Sequence, residues 1–192
     1  MYIKNHQLTP AQQITSPNYD QRSDPTDISL IVIHCISLPE GQFDTPYIDQ
    51  LFTNQLKATE HVSFAEICHL EVSSHILIKR NGAIKQYVPF DQRAWHAGVS
   101  CYKGREKCND FSIGIELEGT IDTRYTEIQY QQLADLAYCL MQTYDKLCPE
   151  NITGHSNIAP QRKADPGIFF DWVKFYRLLN LRLGTSDQQN TD

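Results

Sequence analysis

Two stretches of the chain have the hydrophobic pattern of β-strands. Ile28–His34 is an almost continuous apolar run, rich in β-branched residues and too short for a typical helix. It predicts a buried strand that carries His34 at its C-terminal end. Phe111–Gly119 alternates instead, which predicts a strand with one apolar face and one polar face. The polar positions of this second strand are Ser112, Gly114, Glu116 and Glu118.

A β-hairpin is predicted between these two strands. Two apolar-rich runs, Val72–Arg80 and Ala83–Val88, are separated only by Asn81–Gly82. An Asn–Gly pair supplies the positive φ angles of a tight turn and is the strongest short-range hairpin signal. Pro89 ends the second strand of the hairpin, and Arg93–Gly98 is predicted to be a loop.

Three further segments have helical spacing together with a start signal. Thr45, followed by a proline, is a candidate N-cap and predicts a helix to about Leu56. Thr126–Gln129 has the form of a capping box and predicts the longest helix of the chain. Asp165–Gly167 places proline at a first helical position, and apolar residues between 169 and 183 continue at helical spacing. This last pattern predicts a final amphipathic helix.

The same pattern divides the chain into one domain and two short extensions. Residues 1–27 are polar and contain prolines, so we expect an ordered coil laid on the domain. Strands and helices follow one another from residue 28 to residue 183 without a linker or an internal repeat, which predicts a single α/β domain. Residues 184–192 are expected to be a frayed polar tail.

Composition narrows the classes of function. A chain of 192 residues with 41% hydrophobic content can bury a substantial core, and its net charge of −6 gives no basic surface for nucleic acid. Residues 1–8 lack the apolar core of a signal peptide and no run of apolar residues is long enough for a membrane span, so we expect a cytoplasmic protein without a membrane partner. The six cysteines form no C-x-x-C pair and are expected to be free thiols.

The segment Gly154–Gly167 concentrates the candidate chemistry. It contains His155, Lys163 and Asp165, and its glycines and prolines exclude a continuous helix, so we predict a loop. Two histidines and one carboxylate, with a fourth position left to water, are the ligands of hydrolytic zinc sites. His34, at the end of its strand, is the candidate for the second histidine.

Each of these residues also has a structural interpretation. His34 could be a hydrogen-bonded imidazole of the core, and its long separation from His155 does not fix their geometry. Lys163 could be an ordinary solvated lysine, although beside a metal ligand it could also stabilise a developing oxyanion. The residues alone therefore leave the metal site as one of two interpretations.

Polar residues on the predicted strands have the same ambiguity. Glu116 is either a solvated carboxylate or a general base that faces the site. Gly114, on the same face, leaves space beside that carboxylate for a ligand or another backbone. His75 and His96 are assigned structural roles first, although His96 beside Trp95 could line a groove.

Several long stretches match a known family. In chain order they are Ile33–Pro39, Val72–His75, Gln86–Asp91, Arg93–Ser100, Asn109–Gly119 and Gly154–Gly167. The match as a whole spans the chain from Ile31 to Trp172, so it is not confined to one short signature. On these residues the chain resembles the 1,6-anhydro-N-acetylmuramoyl-L-alanine amidases of the AmpD type from Gram-negative bacteria.

The resemblance implies a fold and an activity. The fold would be a central mixed β-sheet flanked by helices, shared with peptidoglycan recognition proteins and phage-type amidase lysozymes. The activity would be cleavage of the bond between a muramoyl lactyl group and L-alanine in small muropeptides during cell-wall recycling, which would influence β-lactamase induction. The enzyme would be a cytoplasmic monomer. By the same resemblance, one zinc ion would be bound by His34, His155 and Asp165, while Glu116 and Lys163 would assist the attacking water and the oxyanion.

Three positions depart from the family pattern. Cys35 stands where many relatives have asparagine, Glu71 where they have a basic residue, and Lys107 where arginine is familiar. Together with Trp95, which offers an apolar wall for sugar or peptide, Cys35 and Lys107 are the predicted substrate-binding residues. Cys35 could also contact the metal, although as a neighbour of His34 on an extended strand it would point to the opposite face.

Two functions of other classes stay open beside the amidase. The first is a peptidoglycan-binding module of the same fold without activity, which the full set of His34, His155 and Asp165 argues against. The second is a metallopeptidase that acts on the stem peptide. The sequence contains no H-E-x-x-H motif, which makes a peptidase of that type the weaker hypothesis.

Overall fold

The computed structural model describes residues 1–186, and the elements below belong to this range. The strands are β1 (Tyr2–Lys4), β2 (Gln7–Thr9), β3 (Gln12–Gln13), β4 (Tyr19–Gln21), β5 (Leu30–Ile36), β6 (Ile76–Ile78), β7 (Ile84–Gln86), β8 (Gln92–Ala94), β9 (Cys101–Tyr102), β10 (Arg105–Glu106), β11 (Ser112–Glu118) and β12 (Ile152–Gly154). The α-helices are α1 (Tyr47–Phe52), α2 (Glu127–Thr143), α3 (His155–Ile158) and α4 (Trp172–Ser186). Short 3-10 helices cover Val62–Glu66, Cys108–Asp110 and Pro149–Asn151.

A six-stranded mixed sheet organises the fold, in the order β12-β5-β11-β6-β7-β3. The pairs β12/β5, β5/β11, β11/β6 and β7/β3 are parallel, and β6/β7 is antiparallel. The chain is thus a single α/β domain with a central mixed sheet, as predicted. Because the central strands are parallel, their carboxyl ends meet at one edge of the sheet.

The two long helices, α2 and α4, cover one face of the sheet. Apolar side chains of β5, β6 and β11 pack there against α2 and α4 and form the largest hydrophobic cluster; examples are Ile33, Ile78, Ile115, Leu133, Leu140, Phe175 and Leu179. The opposite face carries two smaller clusters, one under α1 and the 3-10 helix Val62–Glu66, the other around Leu30 and Val32. The central strands are therefore buried on both faces.

Most of the predicted elements are confirmed. The strand predicted over Ile28–His34 is β5, which begins two residues later, at Leu30, and continues to Ile36, so that His34 lies inside it. The hairpin forms with Gly82 at a φ of +85°, and its strands pair antiparallel. The capping box is present, because the Thr126 side chain accepts from the Gln129 amide and the Gln129 side chain accepts from the Thr126 amide.

The expectation of a coil over residues 1–27 is wrong. This segment forms four strands, of which β3 extends the main sheet and β4 pairs with β8. Its Arg22 side chain is buried and donates to the backbone carbonyls of Phe90, Asn109 and Ser112. Since β8 covers Gln92–Ala94, the predicted loop over Arg93–Gly98 also begins as a strand. Pairing partners that lie far along the chain stabilise these short strands, and local pattern does not reveal them.

Two predicted helix starts are also wrong. Thr45 does not cap α1, because its hydroxyl donates to the Leu38 carbonyl, and the helix ends at Phe52 rather than near Leu56. The final helix begins at Trp172, where the Asp171 carboxylate accepts from the Lys174 amide.

The C-terminal side of the chain departs from the predicted boundaries as well. Helix α4 continues to Ser186, so the tail expected from residue 184 starts inside the helix, and residues 187–192 lie outside the described part of the chain. Within the described range, none of the helices has the length and apolar character that crossing a membrane requires.

Candidate active site

Three neighbouring strands bring candidate residues side by side at the carboxyl edge of the sheet. In the parallel pair β5/β11, Glu116 lies directly beside His34. In the pair β12/β5, Gly154 lies beside Ile33, so His155 follows in the position next to His34. Strand register therefore aligns two imidazoles and one carboxylate that are far apart in sequence.

Asp165 reaches this edge because its segment folds back on its own beginning. The Ser156 amide donates to the Asp165 carbonyl at 2.9 Å, and the Tyr125 hydroxyl donates to the Pro166 carbonyl at 2.7 Å. A Cβ atom at Gly154 would lie 2.7 Å from Cδ of Pro166, so the close approach requires glycine. The segment is not the loop predicted throughout, since His155 begins the one-turn helix α3.

The three predicted metal ligands meet. Nδ1 of His34 lies 2.9 Å from Nδ1 of His155, and each of these nitrogens lies 3.1 Å from Oδ2 of Asp165. Donor atoms about 2.0–2.1 Å from a tetrahedral zinc ion are separated by about 3.3 Å, so this triangle has nearly the size that zinc requires. All three residues are buried.

The protonation pattern of the cluster also suits a cation. Nε2 of His155 lies 3.2 Å from the Ala97 carbonyl oxygen, which can only accept, so Nε2 carries a proton and the neutral form of the ring presents a bare Nδ1 to the cluster. Burial lowers the pKa of His34 to about 4, which keeps this ring neutral near neutral pH. A metal ion satisfies nitrogen lone pairs and a carboxylate that converge on one point.

Glu116 is a buried carboxylate with one oxygen available to a substrate or water. Its side chain is buried in the same groove, and its Oε2 has no hydrogen-bond partner among residues 1–186. Burial, and secondly the charge of Asp165, raise the pKa of Glu116 well above its ordinary value, while the Lys163 ammonium acts in the opposite direction. The strand does have a carboxylate-bearing face as predicted, but Glu116 is not a solvated bystander.

A groove of about 570 Å³ leads from this cluster to the surface. Lys163 is exposed and lines the groove together with Trp95, whose Nε1 is buried without a partner in the described chain. The walls further from the cluster are formed by Leu38, Glu40, Ser63, Glu66, Thr120 and Ile121. Trp95 thus lies where a sugar or peptide could pack against it.

The remaining predicted substrate-binding residues lie in different surroundings. Cys35 borders the groove but packs against the large core cluster, and burial raises the pKa of its thiol to about 12. Lys107 lines a separate, neighbouring groove that shares Arg162 with the first. Glu71 is exposed between two groove-lining residues, Leu70 and Val72.

The two remaining histidines near the site, His75 and His96, have different surroundings. His75 contacts backbone, since its Nδ1 accepts from the Gly114 amide and its Nε2 lies 3.1 Å from the Gln92 carbonyl, which fits the structural role assigned first. His96 instead lies 3.0 Å from Nε2 of the candidate ligand His34. Sequence reasoning missed this contact, although the open space predicted beside Gly114 is the space that the His96 ring fills.

Fold and site together define a class of protein. Two buried imidazoles and a carboxylate, open to a groove that holds a further unpaired carboxylate, are typical of hydrolases that use a metal ion. A family model described as N-acetylmuramoyl-L-alanine amidase matches residues 24–168. The chain belongs to this amidase family, which confirms the family predicted from the sequence.

Curated relatives and solved structures agree with this assignment. The 1,6-anhydro-N-acetylmuramyl-L-alanine amidase AmpD of Salmonella typhimurium (strain SL1344) is 57% identical over 174 residues, which cover 91% of this chain and 92% of the relative. The crystal structure of a selenomethionine derivative of AmpD is 55% identical, with a TM-score of 0.91 over 93% of this chain and 99% of that one.

A more distant structure contains a ligand. It is the complex of the N-acetylmuramyl-L-alanine amidase AmiD of E. coli with the substrate anhydro-N-acetylmuramic acid-L-Ala-D-gamma-Glu-L-Lys. It is 31% identical, with a TM-score of 0.57 over 90% of this chain and 60% of that one. The predicted mixed-sheet amidase fold is thereby confirmed.

Proposed function

We propose that this chain hydrolyses the amide bond between the lactyl group of 1,6-anhydro-N-acetylmuramic acid and L-alanine in small muropeptides. The observation that carries the proposal is the unpaired Glu116 carboxylate in one groove with the cluster of His34, His155 and Asp165. The similarity to AmpD amidases over nearly the whole chain supports the anhydro sugar as part of the substrate. In a cell, the reaction would belong to the recycling of cell-wall fragments.

The proposed cofactor is one zinc ion, bound by His34, His155 and Asp165. Two imidazoles and a carboxylate at the separations found here are a ligand set that zinc accepts. The chemistry that zinc supplies when bound is that of a Lewis acid, which polarises a carbonyl group and makes water easier to deprotonate.

Glu116 is proposed to carry the proton of the reaction. Its raised pKa makes the ionised carboxylate a stronger base than an ordinary glutamate, so Oε2 can accept a proton as water attacks the lactyl carbonyl carbon. The same proton then passes to the alanine nitrogen as the carbon–nitrogen bond breaks. The products are a muramoyl lactyl carboxylate and a peptide with a free amine.

Lys163 is proposed to stabilise the oxyanion. Its position on the groove allows the ammonium to face the carbonyl oxygen on which negative charge develops. Trp95 is proposed to form an apolar wall for the sugar or the peptide. Cys35 and Lys107 stay predictions as substrate contacts, and Lys107 would require a substrate that extends into the neighbouring groove.

The decisive experiment is mass spectrometry of the products from one soluble 1,6-anhydro-N-acetylmuramoyl tripeptide. We expect anhydromuramic acid and the intact tripeptide, with no product in the presence of a zinc chelator. Cleavage inside the peptide would identify a peptidase instead, and binding without turnover would identify a recognition module. Equal rates on polymeric cell wall and on the soluble fragment would contradict the specificity for recycled fragments.

The cellular setting is part of this proposal. All six cysteines are free thiols, which suits the reducing cytoplasm. We propose a cytoplasmic monomer, which cell fractionation and a mass measurement in solution would check. Recovery of most of the protein outside the inner membrane would contradict the proposed location.

A further inference from the structure

His96 occupies a confined position between a proposed zinc ligand and the polar face of β11. Its Nδ1 lies 3.0 Å from Nε2 of His34, and its Nε2 lies 3.1 Å from the Ser112 hydroxyl oxygen. A Cβ atom at Gly114 would lie only 2.4 Å from Cγ of His96, so a residue without a side chain is required beneath the ring. The ring is therefore held in place from two sides.

The direction of each hydrogen bond follows by elimination. The Ser112 hydroxyl donates to the Cys108 carbonyl at 2.6 Å, which uses its single hydrogen, so its oxygen accepts from Nε2 of His96. The nitrogens of His96 contact Ser112 and His34, neither of which is an anion, so nothing at this ring pairs with a positive charge. A neutral ring that donates from Nε2 accepts at Nδ1.

The tautomer of His96 determines the tautomer of His34, one of the proposed zinc ligands. Because Nδ1 of His96 accepts, Nε2 of His34 carries the proton and donates it. His34 then has a bare lone pair on Nδ1, the nitrogen that lies 2.9 Å from His155 and 3.1 Å from Asp165. The chain of hydrogen bonds runs from His34 through His96 and Ser112 to the backbone of Cys108.

We propose that His96 is a positioning residue that, backed by Ser112, fixes the tautomer and orientation in which His34 binds zinc. The inference rests on the proposed zinc site. For His155, the backbone carbonyl of Ala97 accepts from Nε2 directly, and a side-chain substitution cannot remove this acceptor. His34 depends on side chains instead, so its orientation can be changed by mutation without changing any metal ligand.

The test compares His96→Phe, His96→Asn and Ser112→Ala with the wild type by chelator competition for zinc. Loss of the acceptor in His96→Phe should weaken zinc binding by roughly 10–100-fold, the usual effect of removing such an outer partner. The amide oxygen in His96→Asn can still accept from His34, so this variant should bind zinc more tightly than His96→Phe. Ser112→Ala should have a smaller effect of the same sign.

Ser100→Ala is the matched control for Ser112→Ala. Ser100 is also buried, and its hydroxyl donates to the Gly98 carbonyl and accepts from the Cys108 amide. It has no hydrogen bond to His34, His96 or Ser112 in the described chain, so the zinc affinity of Ser100→Ala should equal that of the wild type. Nitrogen-15 NMR of the zinc-loaded wild type gives an independent readout. It should find the His96 proton on Nε2 and the His34 proton on Nε2.

The possible failures are distinguishable. A wild type that binds no zinc would overturn the proposed function. If the wild type binds zinc and His96→Phe binds it equally well, the positioning role of His96 is wrong while the proposed function stands. The same conclusion follows if the NMR spectrum of the wild type places the His96 proton on Nδ1. If His96→Phe does not fold, Ser112→Ala and the NMR assignment of the wild type still decide the question.

Discussion

The two faces of β11 are both buried, yet they are built on different principles. Ile113, Ile115 and Leu117 point into the large apolar cluster against α2 and α4. Ser112 and Glu116, with the other polar positions, point to the opposite side, where the groove and the cluster of His34, His155 and Asp165 lie. The apolar face is stabilised by the area it removes from water, whereas the polar face depends on particular partners.

Two carboxylates on the polar face sharpen this contrast. Glu118 accepts from the Asp44 amide at one oxygen and from the Arg80 amide at the other, so it pins two loops to the strand. Glu116, two residues earlier on the same face, leaves Oε2 without a partner in the described chain. A buried carboxylate with satisfied oxygens is structural, and one with an unsatisfied oxygen is available for chemistry.

The largest effect on turnover is expected from the proposed metal ligands. His155→Ala removes one of three ligands, so zinc should fall from near one ion per chain in the wild type to a small fraction, and activity should fall to background. Metal analysis and the amidase assay measure both. His69→Ala, at an exposed position, is the control and should change neither. Full zinc and full activity in His155→Ala would show that the site is misassigned.

The next largest effect should separate the two carboxylates. Glu116→Gln should keep its zinc and its thermal midpoint but lose roughly 10²–10⁴-fold in kcat, the usual contribution of general acid–base catalysis. Glu118→Gln should do the opposite, with a lower thermal midpoint and nearly normal turnover of the folded fraction, because its NH2 group cannot accept and one of the two backbone hydrogen bonds is lost. Near wild-type turnover of Glu116→Gln would exclude its proton-transfer role.

Lys163→Ala should have a similar or slightly smaller effect on rate. An ammonium that stabilises the oxyanion acts mainly in the transition state, so kcat should fall by roughly 10²–10³-fold with a smaller change in KM. Steady-state kinetics give the two parameters, and Lys57→Ala, at an exposed position, serves as the control. A change confined to KM would instead assign Lys163 to substrate binding.

A substitution on the apolar face should affect stability rather than chemistry. Ile115 is fully buried in the main cluster, so Ile115→Ala should lower the free energy of unfolding by about 2–5 kcal/mol through lost burial and a residual cavity. The kcat of the folded enzyme should stay near the wild-type value. Urea unfolding measures the first, with the exposed Val62→Ala as control. A folded Ile115→Ala protein with strongly reduced kcat would contradict the separation of the two faces.

The smallest effect is a dependence of stability on pH that arises on the polar side of the sheet. Burial lowers the pKa values of His34, His75 and His96, so the unfolded chain binds protons near pH 6.5 that the folded chain does not, and stability falls as pH drops below that value. Glu116 acts oppositely, because its pKa is raised and the folded chain keeps a proton that the unfolded chain loses above its ordinary pKa.

The net sign follows from these four groups. Between about pH 4.5 and 6.5, unfolding lets the three histidines bind protons and lets Glu116 release one, so the chain takes up about two protons when it unfolds. The urea midpoint of the metal-free protein should therefore decrease on acidification through this range. A midpoint that is constant or rises would mean that the histidines are charged in the folded chain.

Local pattern was a good guide where one segment decides its own structure. The alternation of β11, the Asn81–Gly82 turn and the capping box at Thr126 were predicted correctly, because side-chain periodicity, positive φ and a reciprocal hydrogen bond are local properties. It failed for residues 1–27, where β3 and β4 are stabilised by pairing with β7 and β8, strands that lie more than 70 residues away along the chain. It also failed at Thr45, whose hydroxyl bonds to Leu38 instead of capping a helix.

The sequence by itself determined the family of the chain and the chemical identity of its candidate site: two histidines, two carboxylates and a lysine of types that suit metal-assisted hydrolysis. Only the tertiary structure decided that they meet. Parallel pairing places Glu116 beside His34, and the fold-back after β12 closes Asp165 onto both histidines. It also decided that His96 contacts His34, because register and close approach at Gly114 depend on contacts between distant segments, which no local pattern encodes.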